Sequence, residues 1–114
     1  MDIISIPYYR GKRLTMQGQI IRVEALSNYC KIYFDKGKPI VVAKVLQWFQ
    51  LNLPEQLFVR VHRSHLVNRA FIERINGKNQ EILLLSNGEK ITMSRRKKGA
   101  LKQQHKTIRT AHLA

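Results

Sequence analysis

The sequence predicts a mostly β fold, built as an elongated stack of small, mainly antiparallel sheets with one short helix. Apolar and polar residues alternate in many short runs, and turn-forming residues interrupt these runs at intervals of roughly eight to twelve residues. Only one internal segment spaces its apolar residues as a helix does. The length of 114 residues fits one domain, so we predict a single domain over residues 1–114.

The predicted strands are short and follow one another closely along the chain. In the third, Ile21 and Val23 are expected to share one face of the sheet. The fourth shows the clearest alternation, because Cys30, Ile32 and Phe34 form an apolar face between polar neighbours. The predicted strands cover residues 3–7, 14–16, 19–26, 29–34, 38–42, 58–62, 71–75, 81–85 and 90–94.

One helix is predicted over residues 43–53, because Leu46 and Phe49 recur at helical spacing and Pro54 would end the helix. A weak amphipathic helix is predicted near the C-terminus, over about residues 97–109. Glycine-containing turns are expected to join neighbouring strands into hairpins, at residues 35–37, 76–77 and 86–88.

The chain is strongly basic, with 21 Lys and Arg against 7 Asp and Glu and a net charge of +14. The charge is also uneven, since no acid follows Glu89 whereas eight Lys and Arg residues do. Such an excess repels itself in a folded domain, which favours a polyanionic partner over a merely soluble basic surface.

The remaining composition indicates a cytoplasmic protein without a membrane partner or a cofactor. Cys30 is the only cysteine, so no internal disulfide can form. No apolar run approaches the roughly 18 residues that a membrane span requires. The N-terminus shows no basic segment followed by an apolar one, as a secretory signal would.

Residues 60–69, RVHRSHLVNR, begin like a strand and then concentrate three arginines, two histidines, a serine and an asparagine. Metal binding is not favoured, because His62 and His65 would point to opposite faces of a strand and no other ligands complete a set. A nucleophile at Ser64 lacks an orienting acid and a nucleophile elbow. A small ribonuclease using both imidazoles is the enzyme alternative, but strand geometry opposes it, so we predict no enzyme and no metal site.

Binding to a polyanion accounts for more of these residues. The three arginines offer forked donors suited to phosphate oxygens and to guanine. Two further segments bring donors out of other turns, SNYCK at residues 27–31 and SRRKK at residues 94–98. The helix at 43–53 is too apolar to lie in a groove, so the sequence predicts a nucleic-acid interface made of loops.

Five segments carry a family likeness: SNYCKIY, KVLQWF, FVRVHRSHLVN, FIERI and SNGEKITMSRR. In this order they resemble the LytTR DNA-binding domain family over roughly residues 4–108, and the R-V-H-R-S-x-L-V-N segment is the most specific of them. Two departures stand out. His65 occupies a position where the family usually has Tyr or Phe, and Lys97 and Lys98 replace a common aromatic residue.

The resemblance implies a bacterial transcriptional regulator, similar to the output domains of response regulators, whose loops enter successive major grooves of DNA. It also implies binding to paired repeats, one domain per repeat, with bending of the DNA. We expect the free protein to be a monomer that pairs on DNA. By position, base-facing roles fall to Tyr29, Arg63 and Arg96, and backbone-facing roles to Asn28, Arg60, Ser64, Arg95 and Lys97.

Family members are usually fused to a receiver domain or a membrane segment, and neither is visible here. The chain is then either a stand-alone regulator or a domain cut from a larger regulator. The initiating Met1, followed directly by strand-like sequence, favours the stand-alone form. The competing non-enzyme hypothesis is a basic RNA-binding or ribosome-associated protein. It is less favoured because the sequence lacks an RNP-like motif with paired aromatic residues on one sheet.

Overall fold

The computed structural model describes residues 6–7, 13–14, 18–78 and 81–94, and this part of the chain is mostly β-structure. Three antiparallel sheets account for it, with two, five and three strands. The predicted fold class is confirmed. The weak C-terminal helix predicted over about residues 97–109 lies outside the described residues.

The five-stranded sheet has the strand order β5-β4-β3-β7-β6, and the three-stranded sheet has the order β10-β9-β8. The two-stranded sheet pairs β1 (Ile6–Pro7) with β2 (Arg13–Leu14). The other strands are β3 (Ile20–Leu26), β4 (Tyr29–Phe34), β5 (Ile40–Val42), β6 (Phe58–His62), β7 (His65–Asn68), β8 (Ile72–Asn76), β9 (Ile82–Leu85) and β10 (Lys90–Thr92). A 3-10 turn at Arg69–Phe71 connects β7 to β8.

The helix, α1, spans Leu46–Asn52 and is shorter than the predicted 43–53. Its buried residues, Leu46 and Phe49, are those that the helical spacing identified. Val45 precedes the helix with extended backbone angles and is half exposed, so it does not extend the apolar stripe. Leu53 is also extended, as a residue before proline should be, and this ends the helix at Pro54.

Two hydrophobic clusters lie on opposite faces of the five-stranded sheet. The first packs α1 against one face and includes Val23, Ile32, Phe49 and Leu66, together with the buried Cys30. Burial raises the pKa of the Cys30 thiol to about 11. The second cluster joins the other face to the three-stranded sheet; its buried members are Ile21, Val61, Val67, Ile72, Leu83, Leu85, Ile91 and Met93. The five-stranded sheet is therefore the central layer.

Strand β3 supplies both clusters through a β-bulge. Its pairing with β4 shifts register between Ile20 and Arg22, which makes Ile21 the extra residue. Ile20 and Val23 belong to the cluster beneath α1, whereas Ile21 belongs to the cluster beneath the three-stranded sheet. The prediction that Ile21 and Val23 share one face is therefore wrong, because strict alternation does not hold across a bulge.

Strand β7 was not predicted, although it lies inside the five-stranded sheet, between β3 and β6. Its apolar residues, Leu66 and Val67, are consecutive and both fully buried. A strand covered on both faces lacks the alternation that identifies a half-exposed one. The polar residues that precede this pair weaken the sequence pattern of the strand further.

The bulge can be tested by stability measurements at adjacent positions. Ile20→Ala and Ile21→Ala should each cost about 2–5 kcal/mol of unfolding free energy, because each removes side-chain atoms from a different buried cluster. Leu51→Ala, at a position 76% exposed on α1, should stay within about 0.5 kcal/mol of the parent. Urea unfolding measures all three. A large cost at only one of the two isoleucines would contradict the bulge.

Candidate nucleic-acid interface

Two predicted DNA-facing turns lie side by side at one end of the five-stranded sheet. Ser27 and Asn28 join β3 to β4, and Arg63 and Ser64 join β6 to β7. Because β7 runs antiparallel to β3, the Ala25 N–H donates a hydrogen bond of 2.9 Å to the Ser64 carbonyl. Neighbouring strands are about 4.8 Å apart, so the two turns lie within roughly 10 Å of each other. We call this the turn end of the sheet.

A third predicted segment is anchored close to the same end. The Ser94 N–H donates a hydrogen bond of 2.9 Å to the carbonyl of Val61, two residues before Arg63. This bond connects the chain leaving β10 to the free edge of β6. Arg95, Arg96 and Lys97 lie outside the described residues, so their DNA-binding roles stay predictions.

The 27–28 turn presents polar and aromatic groups to solvent. Ser27 has a φ of 60°, in the left-handed region that non-glycine residues rarely adopt. Asn28 is exposed, and Tyr29 is 52% exposed at the first position of β4. The structure therefore leaves both predicted contact residues accessible.

The 63–64 turn presents Arg63 on a rigid base. Arg63 is exposed, whereas Val61 and Val67 on the flanking strands are fully buried and hold this segment on the core. The His62 Nδ1 accepts a hydrogen bond of 3.1 Å from the Ser64 N–H. This bond connects the His62 side chain to the backbone of the turn.

Arg60 has a different environment from the other predicted contact residues. Its half-buried side chain donates from Nε to the His62 carbonyl at 3.0 Å, and from Nη2 to the Arg63 carbonyl. Its Nη1 donates at 3.0 Å to Oε1 of Gln50 on α1. Three of its N–H donors are therefore used inside the protein.

The two histidines are neighbours, contrary to the expectation from strand geometry. The reversal of the chain at Arg63 and Ser64 pairs His62 with His65 across the hairpin, with ring centroids 5.5 Å apart. The argument that opposite faces separate them is therefore wrong. Within the described ranges, however, no group of three or more His, Cys, Asp or Glu residues is placed to hold a metal ion.

A buried arginine next to this hairpin was missed by the sequence analysis. Arg22 on β3 is 6% exposed and lies over the Tyr33 ring, with its Cζ 3.7 Å from the ring centroid. Its Nε and Nη2 donate to Glu89 Oε2 at 3.2 and 2.6 Å, and its Nη1 lies 3.6 Å from Glu24. Since 67 residues separate Arg22 from Glu89, no local pattern could have indicated the pair.

The contacts of Arg22 join two sheets, and they engage the carboxylates of two acidic residues near the turn end. Glu89 follows the 86–88 turn of the three-stranded sheet, whereas Arg22 lies in the five-stranded sheet. Glu24 accepts a hydrogen bond of 3.0 Å from the Tyr33 hydroxyl. With both carboxylates engaged internally, the exposed bases at this end keep their charge for an external partner.

The pKa values of Glu89 and His65 depart from their ordinary ranges. The hydrogen bond from Arg22 lowers the pKa of Glu89. Burial lowers the pKa of His65, and the positive charge of Arg22 acts in the same direction, against the opposing effect of Glu24. Among the described residues, no group forms a hydrogen bond with the buried His65 Nδ1.

The sequence matches the LytTr DNA-binding domain family over residues 13–106. The chain belongs to this family. Its structure is also similar to the LytTr DNA-binding domain of a protein from Bacillus cereus described as a methyl-accepting/DNA response regulator. That similarity has a TM-score of 0.70 at 21% sequence identity, and it covers 89% of this chain and 94% of the other. No curated protein shows significant similarity to the sequence.

Family membership confirms the resemblance and gives the chain's general function. LytTr domains bind DNA in the regulation of transcription, and the family is not an enzyme family. The structural match independently confirms the fold. Among the helices in the described part of the chain, none is long and apolar enough to cross a membrane.

Acidification should destabilise the LytTr domain in two ranges. Because the pKa of folded His65 is lowered, the unfolded chain binds this proton more readily, and stability falls below about pH 6.5. Glu89, whose pKa is also lowered, contributes stability above about pH 4.5 that is lost as pH falls through its folded pKa.

His65→Phe should remove the first of these losses and keep the second, while Glu89→Gln should reduce the second. Urea unfolding at a series of pH values between about 8 and 2.5 measures both. An equally steep fall between about pH 7 and 5.5 in the His65→Phe protein would show that His65 is not the responsible group.

Proposed function

We propose that this LytTr domain recognises a specific DNA sequence by inserting the turns at its turn end into the major groove, and that it acts as a bacterial transcriptional regulator. The hydrogen bonds from Ala25 to Ser64 and from Ser94 to Val61 carry the proposal. They gather at one end of a rigid sheet three segments that are far apart in sequence. One end of a sheet that carries basic turns can enter a groove of DNA.

The side chains on these turns divide into two chemical roles. Arg63 is exposed and offers a forked pair of donors that matches guanine O6 and N7 in the major groove. Tyr29 is about half exposed at the start of β4. Hydroxyl, amide and ammonium donors suit phosphate oxygens. We propose base contacts for Tyr29, Arg63 and Arg96, and backbone contacts for Asn28, Ser64, Arg95 and Lys97, with Arg60 considered below.

Helix α1 is not suited to groove binding. It has only seven residues, none of them basic, and it buries Leu46 and Phe49 against the five-stranded sheet. A recognition helix needs an exposed polar face that reaches base edges. In the described part of the chain α1 is the only α-helix, and its lack of a basic face supports recognition by turns.

We further propose that the free domain is a monomer and that two domains occupy paired repeats on DNA. The net charge of +14 makes self-association without DNA unfavourable, whereas DNA phosphates neutralise this repulsion. Sedimentation should therefore show a single species of 13.4 kDa for the protein alone. A stable dimer without DNA contradicts this part of the proposal.

Selection from a random duplex pool tests the function as a whole. We expect recovery of one motif in two copies, on the same face of the DNA, at spacings that are multiples of about 10 base pairs. A matched pool of single-stranded RNA serves as the control. Enrichment from the RNA pool, with no motif from the duplex pool, would favour the RNA-binding alternative.

Arg63→Ala should remove one base contact. We expect a loss of about 1–3 kcal/mol in binding to the selected site and a relaxed preference at one base position. Lys36→Ala is the matched control, because Lys36 is an exposed base in the β4–β5 turn, at the opposite end of β4. It should leave the ratio of specific to random binding unchanged. If Arg63→Ala weakens specific and random duplex equally, Arg63 contacts phosphate rather than a base.

A further inference from the structure

Arg60 is bonded to the turn that carries Arg63. Its guanidinium donates three hydrogen bonds. Two go to the carbonyls of His62 and Arg63 in the turn, and the third goes to Gln50 on α1. The side chain starts on edge strand β6 and folds along its own strand toward the turn. It thus connects the helix, the strand and the turn at one point.

The local backbone explains why the turn needs these donors. The pairing of β6 with β7 is regular from Phe58 to Arg60 and then shifts register before His62. At the bulge, the Val61 carbonyl accepts its bond from Ser94 rather than from β7. A bulge leaves backbone groups outside the ladder, and these require other partners. The guanidinium supplies charged donors, which form stronger bonds than neutral ones.

His62 also forms a hydrogen bond with the backbone of the turn. Its Nδ1 accepts the Ser64 N–H, while Arg60 donates to the carbonyls of His62 and Arg63. Two side chains of β6 therefore fix the donors and acceptors of three successive residues. Arg63 itself contributes only its backbone to this network, so its side chain is left exposed.

We propose that Arg60 is a positioning residue that holds the 63–64 turn in the shape that presents Arg63 to a base. The inference rests on the proposed function and departs from the role expected for Arg60 itself, which was a contact to a DNA phosphate. It also gives α1 a function without contact to DNA: Gln50 fixes one arm of the guanidinium. Specificity at the Arg63 position then depends on a residue that need not touch the DNA.

The chemistry of lysine separates the two roles of Arg60. Lysine keeps the positive charge and can contact a phosphate, but its single ammonium cannot span two carbonyls and Gln50 as the planar guanidinium does. A positioning role therefore predicts that Arg60→Lys behaves like Arg60→Gln. A phosphate contact predicts that Arg60→Lys is largely rescued.

The experiment measures affinity for the selected duplex and for random duplex, over about 50 to 200 mM salt. Arg60→Lys and Arg60→Gln should each reduce affinity for the selected site by roughly five- to a hundredfold, the range for losing one base contact. Random-duplex affinity and the salt slope of Arg60→Lys should match the parent. Lys36→Gln is the matched control for Arg60→Gln, since it also removes one positive charge.

A double-mutant cycle adds a readout that a general loss of stability would not produce. In an Arg63→Ala background, Arg60→Lys should cause no further loss of specificity, because the group that it positions is already absent. Gln50→Ala removes only the helix contact and leaves Arg60 in place. It should weaken specificity less than Arg60→Lys does, and it provides the test if substitution of Arg60 prevents folding.

Two results would overturn the inference while leaving the proposed function standing: an unchanged specificity ratio in both Arg60→Lys and Gln50→Ala, or additive losses for Arg60→Lys and Arg63→Ala. Rescue by lysine, with a salt slope reduced by about one in Arg60→Gln, would return Arg60 to the phosphate contacts. An Arg63→Ala protein with unaltered specificity would instead overturn the proposed function of the turn.

Discussion

The antiparallel pairing of β3 with β7 determines where every other part of the candidate interface lies. The register places Glu24 opposite His65, and the Ala25–Ser64 hydrogen bond extends it by one step. Because the two strands run in opposite directions, the turn that leaves β3 and the turn that enters β7 meet at one end. A slip of one residue would move the buried side chains of β7 to the wrong faces, so two hydrophobic clusters hold the register.

The ion pair between Arg22 and Glu89 connects that sheet to the three-stranded sheet. Arg22 is nearly buried, so its charge requires the hydrogen bonds to Glu89 and the stacking on Tyr33. Loss of Glu89 would leave a buried cation without its strongest partner. The same contact holds the β9–β10 turn against β3, while the Ser94 bond attaches the other end of β10 to β6. The two links together hold both ends of β10 against the five-stranded sheet.

The sequence predicted those parts of the fold that depend on local patterns. Strands β4 and β6 have the predicted bounds, and in β4 the two faces alternate regularly. The bulge at Ile21, the hidden strand β7 and the meeting of His62 with His65 follow from tertiary pairing, which no local period reveals. The start of α1 was misplaced for a related reason: Val45 has helical spacing but lies outside the helix with its side chain half exposed.

The same division applies to the candidate site. Residue chemistry and family likeness indicated the polar turns, and the exposure of Tyr29 and Arg63 agrees with them. The buried partners of these turns were missed or given another role. Arg22 was not considered because its partner is 67 residues away. Arg60 was grouped with the phosphate contacts, since nothing in the sequence shows that its donors face the turn's own carbonyls.

The bulge in β3 also limits how the length of this domain can vary in evolution. Deleting Ile21, the extra residue, would restore regular alternation but remove a buried side chain from the cluster beneath the three-stranded sheet. Deleting Val23 instead would place the charged Glu24 at its position in the helix-side cluster. The connection between β8 and β9 begins at Gly77, whose φ is 99°, and its described residues belong to neither buried cluster. Insertions among relatives should accumulate there, while β3 should keep a constant length.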